Sequence, residues 1–156
     1  PAILIFTHSP FFIGWAKPVP INPNRFTHYR AGVIWVSLAG PLTNLALAVL
    51  FTLVLMFTAS HAAGVAGEFP FLPSILAQTI YLNLALTFFN LVPIPPLDGS
   101  KVLSVLLPPE LSARFDAIEP YGFMILVFLL ATGILGSILH PMVSGFFNLL
   151  MNVAGA

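Results

Sequence analysis

The sequence predicts an all-α, polytopic membrane bundle of about three transmembrane helices, joined to a proline-stiffened re-entrant or edge-strand loop. Three observations carry this prediction. Only 6% of the 156 residues are charged, against about 25% in a soluble domain. The apolar fraction is 58% and the mean hydropathy +1.01. A water-soluble fold of this size buries only about two-thirds of its chain surface, too little to hide so many apolar side chains. Finally, residues 31–67, 69–97 and 120–156 are charge-free apart from their flanks. Each gap exceeds the roughly 20 residues that a helix needs to cross a bilayer.

Composition also excludes function classes. Five Lys and Arg balance five Asp and Glu, so a nucleic-acid partner held by a basic face is excluded. The chain has no cysteine, which removes disulfides, iron–sulfur clusters and thiolate zinc sites. Four His and five acids are the whole stock of strong metal ligands and proton carriers. No internal repeat, low-complexity linker or second soluble domain is visible, so residues 1–156 read as a single membrane-embedded domain.

The chain opens on Pro1, not Met, and residues 1–6 are apolar without the basic region of a signal peptide. This start reads as interior to a longer open reading frame, with the chain its C-terminal part. In the segment 14–23, Gly-Trp-Ala-Lys-Pro-Val-Pro-Ile-Asn-Pro, prolines alternate with other residues. It suits an edge strand or re-entrant loop and not a central strand; an interfacial loop anchored by Trp15 fits as well. An edge strand would pair with an extended peptide.

The first span is predicted over about 33–58, the second over 72–92 and the third over 121–139, with 141–153 a packed or interfacial helix. Lys17, Arg25 and Arg30 precede the first span, Lys101 and Arg114 follow the second, and 59–71 holds Glu68 but no Lys or Arg. The positive-inside rule then places 17–30 and 93–119 in the cytoplasm, with 59–71 and the C-terminus outside.

Polar groups within these spans need partners. Thr79, Asn83, Thr87 and Asn90 fall at helical spacing on one stripe of the second span. The stripe must face other helices or a wet cavity, as interhelical hydrogen bonding or as part of a site. In the first span Ser37, Gly40 and Asn44 share a face, and Pro41 predicts a bend. That face is either a small-residue packing surface or one that turns the Asn44 amide into a site. The second span ends in Asn90-Leu91-Val92-Pro93-Ile94-Pro95-Pro96-Leu97-Asp98-Gly99. Its prolines forbid helix and predict an extended run. Asp98 reads as the N-cap of a short helix over about 99–107. It is also an acid near membrane depth, which suggests function; two carboxylate oxygens make the roles compatible.

Taken together, GWAKPVPINP at 14–23, SLAGPLTNLALA at 37–48 and NLVPIPPLDGSKVL at 90–103 resemble the site-2 proteases, a family of intramembrane zinc metalloproteases. The last segment matches the family's Asn-x-x-Pro-x-Pro-x-x-Asp-Gly pattern throughout, and no PDZ or CBS domain is present, as in the short prokaryotic branch. The resemblance covers most of residues 10–107. It implies that Asp98 is the third ligand of a zinc cofactor and that Asn44 positions substrate or stabilises the oxyanion. It implies that Asn90 lines the site and that the 14–23 strand, with Pro18, Val19 and Pro20, receives an extended substrate. The implied reaction is hydrolysis of peptide bonds in or beside a transmembrane segment of another protein, in a prokaryotic cell membrane.

One element of the family pattern is missing. The other two ligands and the general base come from His-Glu-x-x-His, whose spacing puts both histidines on one helix face. His8, His28, His61 and His140 are isolated, without a His four residues away or a Glu next in sequence. His61 and His140 are placed at the outer ends of spans, and His8 and His28 read as interfacial residues. The chain is therefore expected to be inactive alone. Two alternatives remain: a catalytically inactive relative that binds transmembrane segments, and a small transporter or channel subunit. The latter predicts an inverted repeat, and none is found.

Overall fold

The computed structural model describes residues 29–60 and 69–155. Among these residues it is all-helical, with six helices: α1 (Tyr29–Ser60), α2 (Leu72–Leu91), α3 (Asp98–Leu106), α4 (Pro109–Asp116), α5 (Glu119–Ala131) and α6 (Ile134–Ala154). The segment 14–23, with Pro18, Val19 and Pro20, lies outside the described residues, as do His8, His28 and His61.

Helices α1, α2 and α6 are long and apolar enough to cross a membrane. Their outward surfaces carry large apolar side chains: Trp35 is 68% exposed, Phe57 63% and Leu149 57%. In water such a surface would drive aggregation; in lipid it needs no covering. The core is correspondingly narrow. Ala48 and Leu55 of α1, Leu76, Ile80 and Leu84 of α2, and Val143 of α6 form one buried cluster. Leu97, Leu126 and Leu135 form a second, at the end of the bundle where α2 terminates.

The first two spans form where the sequence predicts them. The third does not. Residues 121–139 are broken by Thr132 and Gly133, the latter with φ of 74°. A left-handed residue cannot continue a helix, and glycine adopts that conformation without a Cβ penalty. The 13 residues of α5 extend about 20 Å, short of the roughly 30 Å hydrocarbon core. The residues predicted as a packed or interfacial helix, 141–153, instead belong to α6, which supplies the third long apolar helix. This moves His140 from the outer end of a span to the interior of α6, where its Nδ1 lies 3.3 Å from the Tyr81 hydroxyl. Ile134 and Ile138 share a cavity wall with Leu91 and Pro93, and the Phe147 ring packs on Tyr81 further back along α2. Helix α6 therefore runs antiparallel to α2.

Helix α2 stops at Leu91, as the prolines require, but the run that follows is not extended. Val92 is extended, after which Ile94 N–H donates to Val92 O (2.8 Å) and Leu97 N–H to Ile94 O (2.9 Å). The Pro95–Pro96 bond within this turn is cis. Proline fixes φ but leaves ψ free to close a turn, which is why three prolines here fold the chain back. Two glycines allow the compact packing that results. A Cβ on Gly99 would collide with the carbonyls of Leu91 and Val92, and one on Gly122 with Pro95. Gly136 has nothing within 4 Å.

Overpacking costs about 1–3 kcal/mol, so Gly99→Ala and Gly122→Ala are each expected to lower the thermal unfolding midpoint in detergent by several degrees. Gly136→Ala is expected to leave it unchanged or raise it. Equal midpoints for all three would contradict the close backbone approach at the α2–α3 and α5–loop junctions.

Candidate functional site

The polar stripe of α2 is mostly satisfied within its own helix. Thr79 Oγ1 donates to Ile75 O (2.8 Å), Asn83 Nδ2 to Thr79 O (2.8 Å) and Asn90 Nδ2 to Leu86 O (2.8 Å). Thr87 Oγ1 lies near two carbonyls, Asn83 O (2.8 Å) and Pro41 O (3.3 Å). The second contact is interhelical and ties the stripe to α1, a link of the kind worth about 0.6 kcal/mol in membranes. Asn83 and Thr87 are buried and Asn90 half-buried, so the stripe faces protein.

On α1, Pro41 has no N–H, so Ser37 O loses its usual helical donor. The Ser37 hydroxyl is itself buried and has no hydrogen-bond partner among the described residues. Two turns further along the same face, Asn44 is half-buried. Its amide has two donors and an acceptor to offer.

Asp98 comes to this face from the other side. It is the first residue of α3, and the cap position is Leu97, without a side-chain cap bond. The predicted N-cap role is therefore corrected: Ser100 N–H (3.1 Å) and Ser100 Oγ (2.7 Å) both donate to Leu97 O. With capping supplied by a backbone carbonyl, the Asp98 carboxylate is free for other partners. Its Oδ2 lies 3.5 Å from where a Cβ on Gly40 would stand. Its Oδ1 accepts from Lys101 Nζ at 3.0 Å, the only salt bridge among the described residues. The structure thus brings Asp98 to the Ser37–Gly40–Asn44 face of α1. Asn90 sits in the last turn of α2, directly before the carbonyls on which Gly99 rests.

Two cavities adjoin this junction. One, about 250 Å³, has a mixed lining in which Val33, Pro95 and Pro96 stand beside Ser100, Lys101, Asp116 and Glu119. The other, about 440 Å³, is walled by apolar side chains from the end of α2, α5 and the first half of α6. Only the first offers groups able to hold water or a charge.

Asp98 suits one position in a zinc site, with a carboxylate oxygen directed into a helix interface. A complete ligand set is not present: no group of three His, Cys, Asp or Glu able to hold a metal occurs among the described residues. His140, the one described histidine, is engaged with Tyr81 on a different helix pair. Sequence reasoning missed two features, the Lys101 contact and the approach of Gly40. The i,i+3 spacing of Asp98 and Lys101 was the available signal for the first; nothing in the sequence announces the second.

A family model described as Peptidase family M50 matches residues 62–132. The protein named "Putative zinc metalloprotease YwhC" of Bacillus subtilis is 40% identical over 136 residues, covering 84% of this chain and 60% of that protein. "Putative zinc metalloprotease Rip2" of Mycolicibacterium smegmatis is 35% identical over 115 residues, 72% of this chain and 41% of that protein. "Putative zinc metalloprotease MJ0611" of Methanocaldococcus jannaschii is 46% identical over 69 residues, 44% of this chain and 31% of that protein. The chain thus spans about 60% or less of these relatives' lengths. No solved structure matches it. With its membrane-spanning helices and its Asp98-Gly99 junction, the chain belongs to peptidase family M50, the site-2 protease family.

Proposed function

We propose that this chain is the C-terminal part of an intramembrane zinc metalloendopeptidase that hydrolyses peptide bonds in or near transmembrane segments of other membrane proteins. The observation that carries the reading is the placement of the Asp98 carboxylate against Gly40, on the helix face that also holds Asn44. An acid at a helix interface is costly unless it has a task, and the relatives are named as zinc metalloproteases.

In this reading Asp98 is one zinc ligand, and Gly40 keeps the space before Oδ2 open. Bound zinc supplies Lewis acidity toward water and toward the scissile carbonyl. Asn44 offers its amide to the substrate backbone or to the developing oxyanion. Asn90 retains a free amide oxygen beside the site, since its Nδ2 is used on Leu86 O. The cleft under Lys101, Ser100 and Ser104 gives the site a wet side. Residues 14–23, with Pro18, Val19 and Pro20, are the proposed edge for an extended substrate. The remaining ligands and the general base lie outside the described residues, so no hydrolytic step is assigned to these helices alone. The partners are a transmembrane substrate and the bilayer. In the proposed topology of this prokaryotic membrane protein, 17–30 and 93–119 are cytoplasmic. Helix α6 in place of 121–139 as the third crossing still leaves the C-terminus outside.

Full-length protein carrying a His-Glu-x-x-His helix is expected to hold about one zinc per chain, and Asp98→Asn to lower that occupancy by an order of magnitude or more at limiting metal. Unchanged zinc affinity would remove Asp98 from the ligand set. Asn44→Ala is expected to reduce turnover of a transmembrane substrate by about 10²-fold, the scale of a lost oxyanion donor, with zinc content retained. Loss of the metal would make Asn44 structural instead. Because the chain has no native cysteine, single cysteines at Glu110 and Asn152 can report sidedness, and an impermeant reagent is expected to label them from opposite faces. Labelling from the same face would overturn the crossing by α6.

A further inference from the structure

We propose that α6 carries a homodimer interface, in which its small and polar face pairs with the same face of a second copy of this chain in the same membrane. Within α6, Ser137, Pro141, Ser144, Asn148 and Asn152 recur at steps of four, three, four and four, which sets them on one helix face, with Gly145 at its edge. All of these but the half-buried Ser144 are exposed. A second exposed face of the same helix carries Ile138, Met142, Phe146, Leu149 and Val153, and it suits lipid. The first face does not, because hydrocarbon offers an amide no hydrogen-bond partner. Ser137 Oγ and Ser144 Oγ donate to carbonyls of their own helix, Ile134 O (2.8 Å) and His140 O (2.7 Å). Asn148 and Asn152 stand exposed, and each amide has two donors and an acceptor. Pro141 has no N–H, so Ser137 O also loses its usual helical donor.

Gly145 points the same way. A glycine inside a helix costs about 1 kcal/mol relative to alanine, and in membrane helices glycines are enriched where another helix comes close. Nothing lies within 4 Å of where a Cβ on Gly145 would stand, so among the described residues no neighbour uses the opening. The face extends from Ser137 to Asn152, about 22 Å along the axis, so its occupant is a helix that crosses beside α6. Complementarity selects which helix. The face holds no Asp, Glu, Lys or Arg, whereas a row of ammonium or carboxylate groups would repel its own copy. Asn and Ser both donate and accept, so this face is complementary to itself. Two copies inserted with one orientation are related by a two-fold axis along the membrane normal, and an isologous contact about that axis sets each residue against its counterpart. Asn148 then meets Asn148, a pairing that fixes register in parallel helix dimers, and Ser144 and Gly145 let the backbones approach. The contact involves neither Asp98 nor a metal and is independent of the protease reading.

The experiment is oxidative disulfide cross-linking of the full-length protein in its membrane, with one cysteine introduced at a time. These 156 residues have no native cysteine, and the full-length parent without an added cysteine is the control. Asn148→Cys and Gly145→Cys are expected to give a covalent dimer, and Phe146→Cys and Leu149→Cys on the lipid face about a tenth of that yield or less, because a disulfide needs its two Cα atoms close. Dilution of the protein in proteoliposomes, read by energy transfer between labelled copies, gives a second measure. Asn148→Leu is expected to weaken association by about threefold or more. Gly145→Leu, which fills the opening, is expected to reduce association to the level of a monomer, with helical content unchanged. Cross-linking on the lipid face as efficient as at 145 and 148 would mean random collision and would overturn the proposal. So would the absence of a dimer at 145 and 148, whether the face is covered by other residues of the same chain or by a different membrane protein, the latter giving an adduct of another mass. Association unaffected by both Asn148→Leu and Gly145→Leu would overturn it too.

Discussion

The seat of Gly99 on the carbonyls of Leu91 and Val92 is the contact on which the site depends. Those carbonyls end α2, and α3 begins within a few residues. Any side chain at position 99 would lift α3 away from the end of α2 and carry Asp98 with it. Because glycine permits the approach, the compact turn over 92–97 delivers a carboxylate to α1 at Gly40. The second buried cluster, Leu97 with Leu126 and Leu135, packs behind this junction. Helix α5 joins through Gly122, which rests against Pro95. A helix too short to cross the bilayer thereby buttresses the loop that carries the acid.

The polar atoms of the bundle divide into two groups with different physics. Thr79, Asn83 and Asn90 return their donors to carbonyls one turn back, and Thr87 adds a link to α1. These residues solve the problem of placing polar side chains in a low-dielectric medium. Asp98, Lys101, Asn44 and Ser37 gather instead where α1 meets α3, beside a cleft of mixed lining. The Ser37 hydroxyl is buried without a hydrogen-bond partner among the described residues.

Much of the fold was legible because a bilayer imposes length. Charge-free stretches long enough to cross it locate α1 and α2 within a few residues. The same logic misplaced the third span, because apolar continuity across 121–139 outweighed the single Gly133 that divides it. The left-handed φ at that residue is a local event, and hydropathy averages over it. The proline run was read correctly as a helix stop and incorrectly as extended, since φ alone does not decide whether a chain closes a turn.

For the site, the sequence singled out Asp98, Asn44 and Asn90 as candidates through the resemblance of their motifs to those of the family, and it showed that no His-Glu-x-x-His is present. Residue type and spacing alone also allowed each of them a structural role, as a helix cap, a packing face or an interhelical bond. Only the tertiary structure decided which of them meet. Asp98 and Gly40 are far apart along the chain, and their approach depends on backbone contacts at Gly99 that no side-chain pattern encodes. The division of the carboxylate between Lys101 and the α1 face was likewise set by packing, because orientation at a helix terminus follows from the neighbours and not from the residue.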